Sequence, residues 1–469
     1  MPMVMQDGGV NEHRGEFWLP DEPERRIGGL VRFGPKLAAR LVLDGELFPG
    51  VTPVALVHGF LFDGRRLSAI ECYAAGRRAV FSNGEHVQQT VDVMSLLIGE
   101  HVGEKPRFDH LAVRLSVLRE WANVRSGWRS GEHDEAGYSI RYETPPERSV
   151  TLRDGRVVAL RTVDRLSEGA GLLRGEQETL FSVTFPKRGS LQDIGEAVAS
   201  LQNLITFAAR RVAKVTSLTV TCPGVFIAPG VKIPRPLELR TTQVDLGATD
   251  AAESVGYAER DFLFLVAETE AEFRLTLARW VALEERLGVV LDMFLALLYA
   301  PPHHLENKVM NVCQAAEGYH RRMHDYQLMP DQEYAALTEV LVASAPERWH
   351  SLVAGALANA NGPSFKVRIA KLVEKAGETG AALASTFPNY PARVRNFRDR
   401  YVHFLKVAPT PREQVPEVAD LYDTTKIILE VCLLQDIGWS AAEAGQAVAE
   451  KLDFQRLMRR PRVESSQST

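Results

Sequence analysis

The sequence has little cysteine: four residues in 469, at positions 72, 222, 313 and 432. Their number and scatter exclude a disulfide scaffold, and no Cys-x-x-Cys metal knuckle occurs. Buried, inert thiols in a reducing compartment are therefore expected. Long apolar runs are also missing. No stretch of about eighteen uninterrupted apolar residues exists, and the opening MPMVMQDGGVNEHRGEF has neither the basic flank nor the apolar core of a secretory leader. A soluble, cytoplasmic protein without membrane attachment is the expectation. Positive charge is not in excess, since 55 Lys and Arg face 60 Asp and Glu for a net charge of −5. Any contact with nucleic acid must come from a local patch.

Common catalytic signatures are absent as well. Without a GxSxG nucleophile elbow, the His58-Gly59 pair in VALVHGF has no support as the oxyanion segment of a hydrolase and is expected to end a strand. GAGLLRG at 169–175 has glycines at the wrong offsets for a dinucleotide loop, and no GxxxxGKS or GxxxxGKT phosphate loop occurs. Nucleotide hydrolysis is disfavoured, and no cofactor is expected. His320 and His324 stand four apart on a predicted helix, as a zinc pair requires. The residues between them are Arg-Arg-Met, however, and two cations beside a divalent metal oppose its binding. No metal is assigned, and a solvated helix face is the default for this pair.

What is present divides into two textures. From about residue 13 to 266, short apolar runs are punctuated by Asp44-Gly45, Asn83-Gly84 and Asp154-Gly155, dipeptides that tolerate the positive φ of tight hairpins. This half reads as antiparallel sheets with two helical interruptions, Gln88 to Glu100 and Ser190 to Arg211. Trp18, Trp121, Trp128, Phe181 and Tyr257 read as core or strand-pairing aromatics. After residue 268 the apolar period lengthens to roughly 3.5, opened by a capping box at Thr269 and Glu272. Phe273, Leu277, Trp280, Leu287, Leu291, Phe294 and Leu298 form a stripe that ends at Pro301-Pro302. Further helices are expected at 304–325, 331–344, 347–359, 364–376, 390–407, 414–436 and 440–459. The fold class is α+β, a β-rich amino-terminal half followed by an all-α helical bundle. The expected domains are 13–267, then 268–462 with its core at about 303–460, and a disordered tail at 463–469.

One helix carries chemistry. Between 393 and 406 the bundle holds Arg393, Arg395, Arg398, Arg400 and Lys406 against the single acid Asp399, a cationic patch in an acidic chain. Within it lies Arg398-x4-His403. Cleavage of RNA by attack of the ribose 2′-hydroxyl on its own phosphate needs a base, an acid and stabilisation of phosphorane charge. Histidine titrates in the right range to be acid or base. Arginine stays charged and offers a planar fork to phosphate oxygens. Asp399 can orient the His403 ring or simply pair with Arg395. On an ideal helix positions 398 and 403 are about 140° apart, so one copy surrounds a phosphate poorly. Two copies facing each other complete a composite site, and a homodimer is expected. An Arg-x4-His is expected about once by chance in a chain of this composition, so the spacing alone favours a basic helix face bearing a half-buried histidine.

The segment RDRYVHF, residues 398–404, resembles the signature of the HEPN superfamily, with Asp399 where Asn is more usual. The preceding ALEERLGVVLDMFLALLY and ENKVMNVCQAAEGYHRRMHD are similar to the entry of the HEPN domain in ApeA-type abortive-infection proteins. The stretch GEFWLPDEPERRIGGLVRFGPKLAARLVLDGEL resembles the opening of the ApeA amino-terminal domain. The resemblance implies an antiphage effector that cleaves RNA, tRNA or another transcript, without metal, through Arg398 and His403. It also implies a β-rich half that senses a phage-derived trigger or restrains activity. Glu317 and His320 fall in a segment resembling the family's E-x-x-H helix and are expected to be structural or to line the site. Arg395 and Asn396 are expected phosphate contacts or surface residues. The alternative is a non-catalytic helical RNA-binding or oligomerisation protein, and a hydrolase built on His320, His324 and a carboxylate is a third reading.

Overall fold

The protein was analysed as a computed structural model that describes residues 10–34, 37–50, 52–80, 86–123, 128–134, 137–142, 144–169, 172–244, 259–266, 269–324, 327–358, 360–402 and 414–460. The chain forms two compact units, 1–274 and 275–469.

The first unit is β-rich. Its strands are β1 (Asn11–Trp18), β2 (Ile27–Gly34), β3 (Leu37–Leu43), β4 (Val54–Leu61), β5 (Arg66–Val80), β6 (His86–Ile98), β7 (Phe108–Leu115), β8 (Trp128–Asp134), β9 (Gly137–Tyr142), β10 (Arg148–Thr151), β11 (Val157–Gly169), β12 (Leu172–Gly189), β13 (Val215–Phe226) and β14 (Pro234–Thr241). Strands β6-β3-β2-β1-β4-β5 lie side by side, and β5 pairs back onto β6, so six antiparallel strands close into a barrel. Closure removes the exposed edges that an open sheet of this size presents. The interior is filled by apolar side chains, among them Phe17, Val31, Leu41, Val57, Ala69 and Val91. Beyond the barrel, β6 continues into β14-β13-β7-β12-β11-β10, while β8 and β9 form a separate hairpin.

The helix expected at Gln88 to Glu100 is the strand β6. Val87, Val91, Met94 and Ile98 fit a helical stripe, but Gln89, Val91, Val93 and Ser95 are buried at a period of two. The β-branched Thr90, Val91 and Val93 and the register with β5 (Arg78 opposite Gln88, Val80 opposite His86) settle the strand. The second expected helix forms as α2 (Leu191–Ala209). Ser190 caps it by accepting from the Asp193 N–H at 3.2 Å, and Asp193 accepts from the Ser190 N–H at 2.7 Å. Its stripe of Ile194, Val198, Leu201, Leu204 and Ile205 is buried, and the helix packs on β7 and β12. A four-residue helix α1 (Leu118–Trp121) buries Trp121 against Phe181. Trp18 is also buried, the side chain of Trp128 and all of Tyr257 lie outside the described residues, and the strand around His58 runs on to Leu61 rather than ending there.

The second unit is helical. Its helices are α3 (Glu270–Leu287, which begins in the first unit), α4 (Val289–Tyr299), α5 (Leu305–Met323), α6 (Asp331–Ser344), α7 (His350–Leu357), α8 (Phe365–Lys375), α9 (Gly377–Ala384), α10 (Tyr390–Val402), α11 (Val415–Asp436), α12 (Ala441–Ala449) and α13 (Leu452–Met458). The Thr269 hydroxyl accepts from the Glu272 N–H at 3.2 Å, as a helix start requires. The stripe from Phe273 does not form one helix. Gly288 breaks it with φ +51, a conformation that costs little only without a Cβ. Glu450 likewise divides the 440–459 segment into two helices, and α9, which starts at Gly377 after the expected end of α8, is additional. Helix α11 is buried on nearly every side and touches α5, α8, α9, α12 and α13, and the charges it buries are paired, Lys426 with Glu430 at 3.1 Å and Asp420 with Arg456 at 3.5 Å. All four cysteines are buried and unpaired.

Gln89 is fully buried in the barrel, where its amide accepts from the Leu47 N–H and donates to the Phe48 carbonyl, both at 2.8 Å. Gln89→Leu leaves both backbone groups without a partner. It should destabilise the protein by roughly 2 kcal/mol, the cost of such unsatisfied groups, read as a lower denaturation midpoint in urea.

Candidate functional site

Helix α10 sets the site because of which residues it buries. Tyr390, Val394 and Phe397 face inward at helical spacing, and the Tyr390 hydroxyl meets Thr425 of α11 at 2.8 Å. Arg398 follows Val394 by one turn and so emerges at the border of the buried face. Its guanidinium lies over the Phe365 ring of α8 at 4.9 Å and donates from Nη2 to Glu317 of α5 at 2.8 Å. Nη1 donates to Asp399 at 3.3 Å. The two bonds use two of its five N–H groups, leaving donors for a further anion.

Glu317 is placed by the amphipathic pattern of α5, one turn after the buried Cys313. Its neighbour Gly318 permits a close crossing with α4, where an added Cβ would stand 2.8 Å from Val290. One turn further, His320 is 2% exposed. Its Nδ1 lies 3.1 Å from Nη1 of Arg368 on α8, and because arginine can only donate, His320 is neutral with its hydrogen on Nε2. Burial pushes its pKa down to about 4, reinforced by His324, Arg368 and Lys371. Beside this, Tyr319 donates to Asp436, and Lys375 donates to Asp436 at 2.5 Å and to the Tyr319 hydroxyl at 2.7 Å, tying α5, α8 and α11 together.

The structure brings Arg398, Asp399 and Glu317 together, with His320 one turn from Glu317. Arg395 and Asn396 lie on the exposed face, bonded to each other at 2.7 Å, with Arg395 4.0 Å from Asp399. Arg393 is paired with Glu417, so the cationic patch is partly neutralised. His403 and Lys406 lie outside the described residues. The solvated face expected for the histidine pair fails at His320. The two rings are 4.9 Å apart, beside Arg368, Lys371, Lys375 and Arg286, a setting that opposes a dication. No group of three ligating side chains with metal-site geometry occurs among the described residues. Two site residues, Phe365 and Arg368, were missed. The signal was an arginine on the apolar stripe Phe365, Ile369 and Leu372 of an amphipathic helix, where burial demands a reason.

The family model of the Apea-like HEPN domain matches residues 310–443, within this helical unit. The model of ApeA N-terminal domain 1 matches residues 12–280. The chain belongs to the ApeA-like HEPN family. No curated protein and no solved structure shows significant similarity to it. No described helix is long and apolar enough to cross a membrane.

The depressed pKa of His320 has a thermodynamic consequence. Below the unfolded value near 6.5 the unfolded chain binds a proton at this position that the folded chain refuses until about pH 4. Its contribution is therefore intact above pH 6.5 and lost as pH falls to 4, by at most about 3 kcal/mol. His320→Gln, which can still accept from Arg368, should flatten the fall in stability across that window, measured by urea unfolding at half-unit steps.

Proposed function

We propose that this protein is an antiphage, abortive-infection effector whose helical unit cleaves RNA without a metal. The observation that carries the reading is the Glu317–Arg398 pair. It holds a guanidinium at the surface of α10, five residues before a histidine, inside a domain of the HEPN family. HEPN domains are generally ribonucleases, and ApeA-type architecture belongs to phage defence.

In this mechanism Arg398 grips the non-bridging oxygens of the scissile phosphate, where negative charge grows in the phosphorane. The ribose 2′-oxygen attacks phosphorus as its proton leaves, and the bond from phosphorus to the 5′-oxygen breaks as that oxygen is protonated. His403 serves as acid or base in these transfers. The products are a 2′,3′-cyclic phosphate and a 5′-hydroxyl. Glu317 and Asp399 orient Arg398, and Arg395 and Asn396 offer further contacts to the strand. Because positions 398 and 403 would project about 140° apart on an ideal helix, the site is completed by a second copy. The β-rich unit senses the trigger or restrains cleavage.

The competing reading is a non-catalytic RNA-binding or oligomerisation module on the same basic helix. His403→Ala should lower cleavage at least a hundredfold while RNA affinity stays within about twofold. Arg398→Lys should also cut the rate sharply, because a point charge does not reproduce the fork. Wild-type cleavage should be undiminished in excess chelator. Equal activity in His403→Ala would favour the binding module, and loss in chelator would favour a metal-dependent hydrolase.

A further inference from the structure

Arg368 is a buried cation without a matching anion. It is 8% exposed, yet no carboxylate among the described residues lies within ion-pair distance of it. Its Nη1 is bonded to the neutral His320 ring, and its Nε has no hydrogen-bond partner among the described residues. The charged groups facing it are Glu317, which attracts it from beyond ion-pair reach, and Arg321, which repels it. Glu317 is already engaged by Arg398 and by Arg321, each at 2.8 Å. One carboxylate thus serves three guanidiniums. Leaving a charge uncompensated away from water costs several kcal/mol, and folds retain such a group where an external ion closes the balance.

Gly362, half-buried, stands beside Nη2 of Arg368, and a Cβ there would lie 3.1 Å from that nitrogen and cover it. Arg368 and Phe365 are one turn apart on α8, and Phe365 carries the Arg398 guanidinium. The two arginines therefore flank Glu317 from adjoining helices.

We infer that Arg368 is a second anion-binding residue, which receives, on the side where Gly362 carries no side chain over Nη2, a phosphate of the RNA strand next to the one gripped by Arg398. The inference rests on the ribonuclease reading for the identity of the ligand, but the anion site itself does not depend on cleavage. His320 is its positioning residue, because the neutral Nδ1 acceptor fixes the guanidinium without cancelling its charge. A strand must then present at least two consecutive phosphodiesters, so a dinucleotide with one phosphate is a poor ligand.

Two readouts on the full chain test this. The first is the thermal midpoint in potassium phosphate against potassium chloride at equal ionic strength. Phosphate should raise it by roughly 2–4 °C. Arg368→Gln, which still donates to His320, and Gly362→Leu, which covers the nitrogen, should each abolish most of the rise, while Arg398→Gln keeps part of it. The second is the affinity for a fluorescent single-stranded 12-nucleotide RNA in a His403→Ala background across a salt series. Arg368→Gln should reduce the slope of log affinity against log salt by about 0.7, the loss of one phosphate contact. A phosphate effect that is absent in the wild type, or unchanged in both Arg368→Gln and Gly362→Leu, overturns the site. An unchanged RNA slope in Arg368→Gln overturns its role in strand binding. If Arg398→Gln alone leaves RNA affinity and slope untouched while Arg368→Gln loses both, the anion site stands and the assignment of Arg398 falls.

Discussion

The contact on which the helical unit's chemistry depends is the 2.8 Å ion pair between Glu317 and Arg398. Both side chains are less than a quarter exposed and need charged partners, which Arg398 finds in Glu317 and Asp399 and Glu317 finds in Arg398 and Arg321. That mutual requirement fixes an otherwise flexible guanidinium at the surface of α10. The supports behind it are packing and hydrogen bonding on regular elements. Gly318 lets α5 approach α4, the Tyr319–Lys375–Asp436 network locks α5 to α8 and α11, and Phe365 underlies the guanidinium. In the proposed mechanism, a guanidinium held by helices in this way is preorganised for charge that appears only during reaction.

Charge distribution bears on the proposal that an acidic protein acts on RNA. The overall charge of −5 does not attract a polyanion, but the site concentrates cations while supplying few acids. Arg321, Arg368 and Arg398 surround one carboxylate, and Arg400 is exposed two residues after Arg398. Attraction is then local, strongest within a Debye length of about 8–10 Å. Neutral His320 contributes by accepting from Arg368 without cancelling its charge, and its burial keeps it neutral throughout the physiological range.

The change from sheet to helix was legible in the sequence because it rests on local periodicity and turn chemistry, as in the capped helix after Ser190 and the Thr269 start. Barrel closure was not, since the return of β5 onto β6 is a long-range pairing with no local mark. The same limit explains β6, where valines fit both periods and only the partner strand decides. At the site, Arg398 and Glu317 could be named from spacing and resemblance, but that they meet across 81 positions is a tertiary fact. Arg368 was readable in principle as a charge on an apolar stripe. Its pairing with His320 has no mark in the sequence, where that histidine reads as part of a solvated face.

The chemistry ascribed to the helical unit leaves a signature on its product that does not depend on which RNA is cut or what triggers cutting. End-group analysis of a defined oligonucleotide, by mass spectrometry after incubation with the full chain in chelator, tests it most directly. The account predicts a 2′,3′-cyclic phosphate on one fragment and a 5′-hydroxyl on the other. Fragments ending in a 3′-hydroxyl and a 5′-phosphate would contradict it, since attack by the neighbouring 2′-oxygen cannot produce them.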